Sequence, residues 1–260
     1  MFILGGIAFA GLLLYLAQDK LIFYPERLPE HYSFRFDAAF EERFFDAPDG
    51  TRIHALHFRR PDSEGLVYYH HGNAGSLRDW GSVYPEFTGR GFDLLIYDFR
   101  GYGKSGGSRN EAALLADALL IYDLAADEYA DRPIILYGRS LGTGIAGYVA
   151  SKRRADALIL ESPYRDFRSL ARHHMPWVPG FMVRYRLPLI RYIDAVDCPV
   201  YLIHGTGDDI VPYRASSQLN EAFPEKVRLF TVQGGGHNDL EMHEAYRDAL
   251  DEIFHKTRSK

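Results

Sequence analysis

The chain has 260 residues, 47% of them hydrophobic and 25% charged, and a net charge of −5 at neutral pH. That length and apolar content supply a core large enough for one α/β domain, and the acidic balance excludes the broad basic footprint of a nucleic-acid-binding domain. A lone cysteine, Cys198, excludes an intramolecular disulfide.

Met1 to Ala17 contains no charged side chain. As a helix it would measure about 26 Å at 1.5 Å per residue, a little under a hydrocarbon core of about 30 Å. Residues 1–20 therefore read as a membrane-anchor helix, with Lys20, Phe23 and Tyr24 at the depth of the headgroups. A cleaved signal peptide and a helix packed on the domain are the alternatives; the first would want a basic n-region, which this sequence lacks. Lys20, Arg27 and Arg35 follow the segment and nothing basic precedes it, so the bias in charge favours a cytoplasmic domain at 21–260.

Three short runs follow, Arg43 to Ala47, Arg52 to Arg59 and Leu66 to His70, separated by Pro-Asp-Gly and Pro-Asp-Ser-Glu-Gly turn signals. The first two suit an antiparallel hairpin. The pattern then alternates: helix over Trp80–Arg90, strand over Phe92–Asp98, helix over Glu111–Ala130, strand over Ile134–Tyr137, helix over Leu141–Arg153 and strand over Ala157–Leu160. Such alternation predicts a mostly parallel sheet with crossover helices on both faces and an antiparallel N-terminal part. Between 162 and 196 the periodicity breaks at Pro163, Pro176, Pro179 and Pro188. A long irregular insert of this kind is expected to be a lid or a wall of a binding site, which makes Met175, Trp177, Phe181 and Met182 candidate pocket residues. Strand and helix then resume at Val200–His204, Arg214–Phe223, Arg228–Val232 and Leu240–Phe254.

Gly138, Ser140 and Gly142 stand at the spacing G-x-S-x-G between the apolar run Ile134–Tyr137 and a helix opening on small residues. This is the spacing of a nucleophile elbow, where a sharp strand-to-helix turn lifts a serine clear of the sheet. Ser140 is therefore the candidate nucleophile. The unpaired N–H groups at the start of the helix, Leu141 foremost, are the donors nearest a developing oxyanion. A serine hydroxyl needs a general base and a carboxylate to orient that base. Asp208 and Asp209 follow one later strand and His237 follows the next, in the order Ser, Asp, His expected of this arrangement. Successive ends of a parallel sheet share one edge, so the three loops would meet there.

The resemblance extends over nearly the whole chain. Its carriers are Tyr69-His70-His71-Gly72-Asn73-Ala74-Gly75, the run Tyr97 to Ser105, Gly138 to Gly142, Glu161-Ser162-Pro163, His204-Gly205-Thr206-Gly207-Asp208 and Gly236-His237. These resemble the α/β-hydrolase superfamily, and within it the small, N-terminally anchored serine hydrolases that include esterases, lysophospholipase-like and depalmitoylating enzymes. The resemblance implies cleavage of carboxylic esters, and the apolar anchor with a wall of Met, Trp and Phe points to acyl or lipid-like substrates. The alternatives are a thioesterase or peptidase on the same triad, or a non-catalytic membrane-tethered binding protein. It selects Asp208 over Asp209 as the acid and makes the Asn73 backbone N–H the second oxyanion donor. His70, His71 and His204 are expected to shape loops. Arg186-Leu187-Pro188 departs from the acidic or amide residue the family would place near there. Gly103-Lys104-Ser105 only imitates a P-loop, since Asp98 stands where glycine is needed, and His173-His174 and His243-Glu244 lack the H-E-x-x-H spacing. No metal and no cofactor is expected.

Overall fold

The structure is a computed structural model that describes residues 2–258; of the first helix, the side chains of 2–10 and of residue 12 lie outside the described part. Eight strands form one sheet: β1 (Phe40–Asp46), β2 (Arg52–Phe58), β3 (Leu66–His70), β4 (Asp93–Tyr97), β5 (Ile134–Arg139), β6 (Ala157–Glu161), β7 (Val200–Gly205) and β8 (Val227–Val232). Their order across the sheet is β1-β2-β4-β3-β5-β6-β7-β8. β2 runs antiparallel to both β1 and β4, and the other pairs are parallel.

The central strands read as unbroken apolar runs because both faces are covered. Leu66, Tyr68, Leu136, Leu158 and Leu202 enter one core, while their neighbours Val67, Tyr69, Ile135, Ile159 and Ile203 enter the other. On the first face pack α2 (Glu111–Ala126), α3 (Leu141–Ala150) and α5 (Leu189–Asp194); on the second pack the short helix Tyr84–Thr88 and the closing helix α7 (Glu244–Arg258). α4 (Phe167–His174) lies in the insert, and α6 (Arg214–Ala222) joins β7 to β8.

Several boundaries differ from the sequence reading. The helix expected over Trp80–Arg90 is two short helices, Leu77–Trp80 and Tyr84–Thr88, divided by a 3₁₀ turn. Pro85 has no N–H to continue an earlier helix but suits the first turn of a new one. The insert is more regular than its prolines imply. Asp166 caps α4 by accepting from the Ser169 N–H at 2.8 Å, and Pro176 follows within two residues of the helix end.

α1 (Phe2–Ile22) precedes the sheet. Much of the predicted anchor segment lies outside the described side chains, and among the described residues no helix is long and apolar enough to cross a membrane. From Leu14 onward α1 packs against the core. Gln18 is buried, donating to the Met182 carbonyl at 2.7 Å and accepting from the Arg184 N–H at 2.8 Å. Asp19 accepts from the Tyr185 hydroxyl at 2.8 Å, and the Asn73 amide donates to the Ile22 carbonyl at 3.0 Å. The end of α1 is thereby tied both to the insert and to the loop after β3.

Candidate active site

Ser140 occupies the turn between β5 and α3 with φ of 51° and ψ of −114°. A non-glycine residue there is strained, and the surroundings hold it. Its N–H donates to the Glu161 carbonyl at 2.9 Å, and its own carbonyl accepts from the N–H and hydroxyl of Thr143 at 3.0 and 2.6 Å. The flanking glycines are required by close approach: a Cβ on Gly138 would run into the Gly142 carbonyl, and one on Gly142 into the carbonyl of His70.

The loops after β7 and β8 bring the other two groups to this turn. His237 Nε2 lies 3.0 Å from Ser140 Oγ, and Nδ1 lies 2.8 Å from Asp208 Oδ2. With the ring donating from Nδ1 to the carboxylate, Nε2 is left as the acceptor facing the hydroxyl. The Asp208 side chain is fully enclosed. Burial alone would raise its pKa, but hydrogen bonds from His204 and His237 and from the Val211 N–H outweigh it and hold the carboxyl well below its usual range. Its Oδ1 accepts from the Ile210 and Val211 N–H groups at 2.9 and 2.7 Å. Asp209, next along, is exposed. The structure thus brings Ser140, His237 and Asp208 into one line that can pass a proton from hydroxyl to imidazole, and leaves Asp209 outside it.

The loop after β3 closes the other side. Gly72 comes close enough that a Cβ there would sit 3.9 Å from Ser140 Cβ, and Asn73 and Leu141 border the same cavity as Ser140. The Asn73 carbonyl accepts from the Tyr24 N–H at 2.9 Å and the Tyr102 hydroxyl at 2.7 Å, while the peptide that carries the Asn73 N–H is held through the Gly72 carbonyl by His71 Nδ1 at 2.7 Å. His70 and His71 are fully buried, and desolvation pushes their pKa values down to about 3 and about 4. Both are neutral: His71 donates from Nδ1 to the Gly72 carbonyl at 2.7 Å and accepts at Nε2 from the Phe99 N–H at 3.4 Å. His204 spans Ser216 Oγ at 2.7 Å and the Val211 carbonyl at 2.9 Å, with Nε2 also 3.2 Å from Asp208.

A cavity of about 230 Å³ opens beside Ser140. Its walls are Tyr164, Phe167, Leu170, Met175 and Val178 of the insert, facing Leu14, Gln18 and Ile22 of α1. Of the four pocket residues expected from sequence, only Met175 lines it. Trp177 and Phe181 point outward, 70% and 81% exposed, because the turn at Gly180–Met182 folds over α1 and not over Ser140. Met182 lies against α1 instead, its Cε about 3.3 Å from where a Cβ on Gly11 would stand. The α1 wall is not marked in the sequence, where an apolar helix that packs on the domain and one that meets lipid have the same composition. Arg139 was missed as well. It pairs with Glu161 at 3.0 Å and donates to the His237 carbonyl at 3.1 Å, so the residue before the serine braces the imidazole loop. Among the described residues no group of three His, Cys, Asp or Glu side chains is placed to hold a metal ion.

Residues 61–193 match the family described as serine aminopeptidase, S33. An uncharacterised protein of Mycobacterium tuberculosis is 32% identical over 232 residues, covering 86% of this chain and 82% of its own. The α/β hydrolase domain-containing protein 17C of Xenopus tropicalis is 32% identical over 239 residues, covering 86% and 75%. Among solved structures, an esterase of Pyrococcus furiosus superposes with a TM-score of 0.71 at 17% identity, over 90% of this chain and 98% of that one. The sheet order, the helices on both faces and these similarities agree: the chain belongs to the α/β-hydrolase superfamily, in the family described as serine aminopeptidase, S33.

Proposed function

We propose that this hydrolase cleaves carboxylic esters through an acyl-enzyme on Ser140, and the observation that carries the reading is the unbroken line from Ser140 Oγ through His237 to Asp208. Ser140 Oγ attacks the carbonyl carbon as His237 Nε2 takes its proton, and the oxyanion is met by the N–H groups of Leu141 and Asn73. The imidazolium then gives its proton to the departing alcohol. Water, activated by the same ring, releases the acid and restores the serine. Asp208 stays ionised throughout and orients the ring.

The apolar walls of the cavity favour an acyl chain over a charged or sugar-like group. We read residues 1–20 as a membrane anchor that keeps the domain beside lipid substrates, with the domain on the cytoplasmic side. The similarity to an esterase supports ester chemistry at the level of the fold.

Replacing Ser140 with Ala should lower kcat on a short-chain activated ester by about six orders of magnitude and abolish labelling by a fluorophosphonate. A panel of ester, thioester, lysophospholipid and aminoacyl amide substrates ranks the leaving groups. An amide turned over faster than every ester, or wild-type turnover by the Ala variant, would reject the proposal; absence of labelling in the wild type would mark a non-catalytic binder.

A further inference from the structure

Eleven large hydrophobic side chains stand exposed among the described residues, and eight of them fall in α1 and the turn after it, in the insert, or in the Asp208 loop. Scattered exposed apolar residues are ordinary, but a concentration around one opening is not. Leu21 and Ile210 line the cavity yet are 46% and 43% exposed, so they mark its mouth. Phe181 sits on the turn that Gln18 and Gly11 hold against α1, and Trp177 lies just before it. The mouth is therefore marked by Leu21 and Ile210, and the two aromatic side chains stand outward on the same insert as the wall residues Met175 and Val178.

The charge of this region is as distinctive. Between Asp166 and Asp194 the sequence carries five arginines and no acidic residue, in a chain whose net charge is −5, and of these Arg184 is paired with Asp19 of α1 at 3.4 Å. Arg172, His173 and His174 are exposed, and the Arg172 guanidinium lies 3.5 Å from the Cβ position of Gly180, beside Phe181. An exposed tryptophan and phenylalanine beside the exposed Arg172 guanidinium form a pattern that suits the boundary between acyl chains and anionic headgroups. A second copy of this chain would bring like charge against like. The face is continuous with α1, whose first 17 residues lack any charged side chain.

We infer that the insert docks on an anionic bilayer, with Trp177 and Phe181 entering the lipid and Arg172 beside them meeting the headgroups, so that the cavity mouth faces the acyl region directly. An ester in the leaflet then passes its chain between α1 and α4 to Ser140 without crossing water. The inference deepens the ester-hydrolase reading and rests on it for the substrate, but not for the docking.

The test uses the full chain in vesicles of phosphatidylglycerol and phosphatidylcholine brominated near the glycerol end of the acyl chains. The sequence holds two tryptophans, so subtracting the emission of Trp177→Phe isolates Trp177. Quenching of that component is expected, together with a fall of about tenfold in hydrolysis of a vesicle-embedded ester when Trp177 and Phe181 are both changed to Ser, since binding scales with buried apolar area. Hydrolysis of a soluble butyrate ester by that variant should be unchanged. Unquenched Trp177, as a protein partner or a second copy on this face would give, overturns the inference; so does equal loss on both substrates. Quenching needs no turnover, so failure of the esterase reading would show separately.

Discussion

Two adjacent aspartates after β7 differ entirely in what surrounds them. Asp208 is enclosed, bonded through one oxygen to His237 and through the other to two backbone N–H groups, while Asp209 faces solvent. Asp208→Asn should lower kcat on a short-chain ester by about four orders of magnitude, because the amide no longer selects the imidazole tautomer that accepts from Ser140. Asp209→Asn should leave kcat near the wild-type value. The opposite ranking would move the acid to the other position. Sequence alone left both open, and the family resemblance chose; burial is the physical reason the two part, and burial is a property of the folded loop.

At the scale of elements, the sheet edge that carries Ser140 is backed by polar groups from four segments. Arg139 at the end of β5 pairs with Glu161 at the end of β6. Glu161 accepts from the Tyr137 hydroxyl at 2.5 Å, and Tyr246 of α7 donates to Glu86 at 2.7 Å. Burial and the neighbouring Glu161 raise the Glu86 pKa to about 7, Glu241 adding to this and Tyr246 and Arg139 opposing it. An unfolded glutamate releases its proton near pH 4.3, so between that value and about 7 the native state holds a proton that the unfolded chain has lost. Stability should therefore decline as pH rises through this window and level off above it. Glu86→Gln should flatten the decline by roughly 1–2 kcal/mol, allowing for partial exposure. Urea unfolding at pH 5 and pH 8 checks it, and identical slopes in the two proteins would refute the shift. None of these pairs is close in sequence, and no periodicity announces them.

Over the molecule as a whole, α1 has a second role beyond the proposed anchor. Leu14 and Gln18 form part of the cavity wall, and Gln18 and Asp19 hold the insert. A chain lacking residues 1–10 keeps these contacts, whereas one lacking 1–20 loses the Gln18 and Asp19 hydrogen bonds to the insert and the packing of Leu14 on the core, at about 1–3 kcal/mol. The longer deletion should lower Tm by roughly 2–12 °C, at about 2–4 °C per kcal/mol in a domain of this size, and should weaken turnover even of soluble esters. The shorter one should do neither. Equal Tm values for the two truncated chains would show that α1 is dispensable to the fold.

The order of strands and helices, the glycine-flanked serine and the placing of three loops at one sheet edge were legible in the amino-acid sequence, because each rests on local periodicity and on a connection rule that parallel sheets obey. The pocket was not. Trp177, Phe181 and Met182 share the apolar character of Met175, and only the path of the insert over α1 decides that one faces the serine while the others face outward or pack on the helix. Hydrophobicity says that a side chain seeks to leave water; which surface receives it is settled by contacts between segments more than a hundred residues apart, and those exist only once the chain has closed on itself.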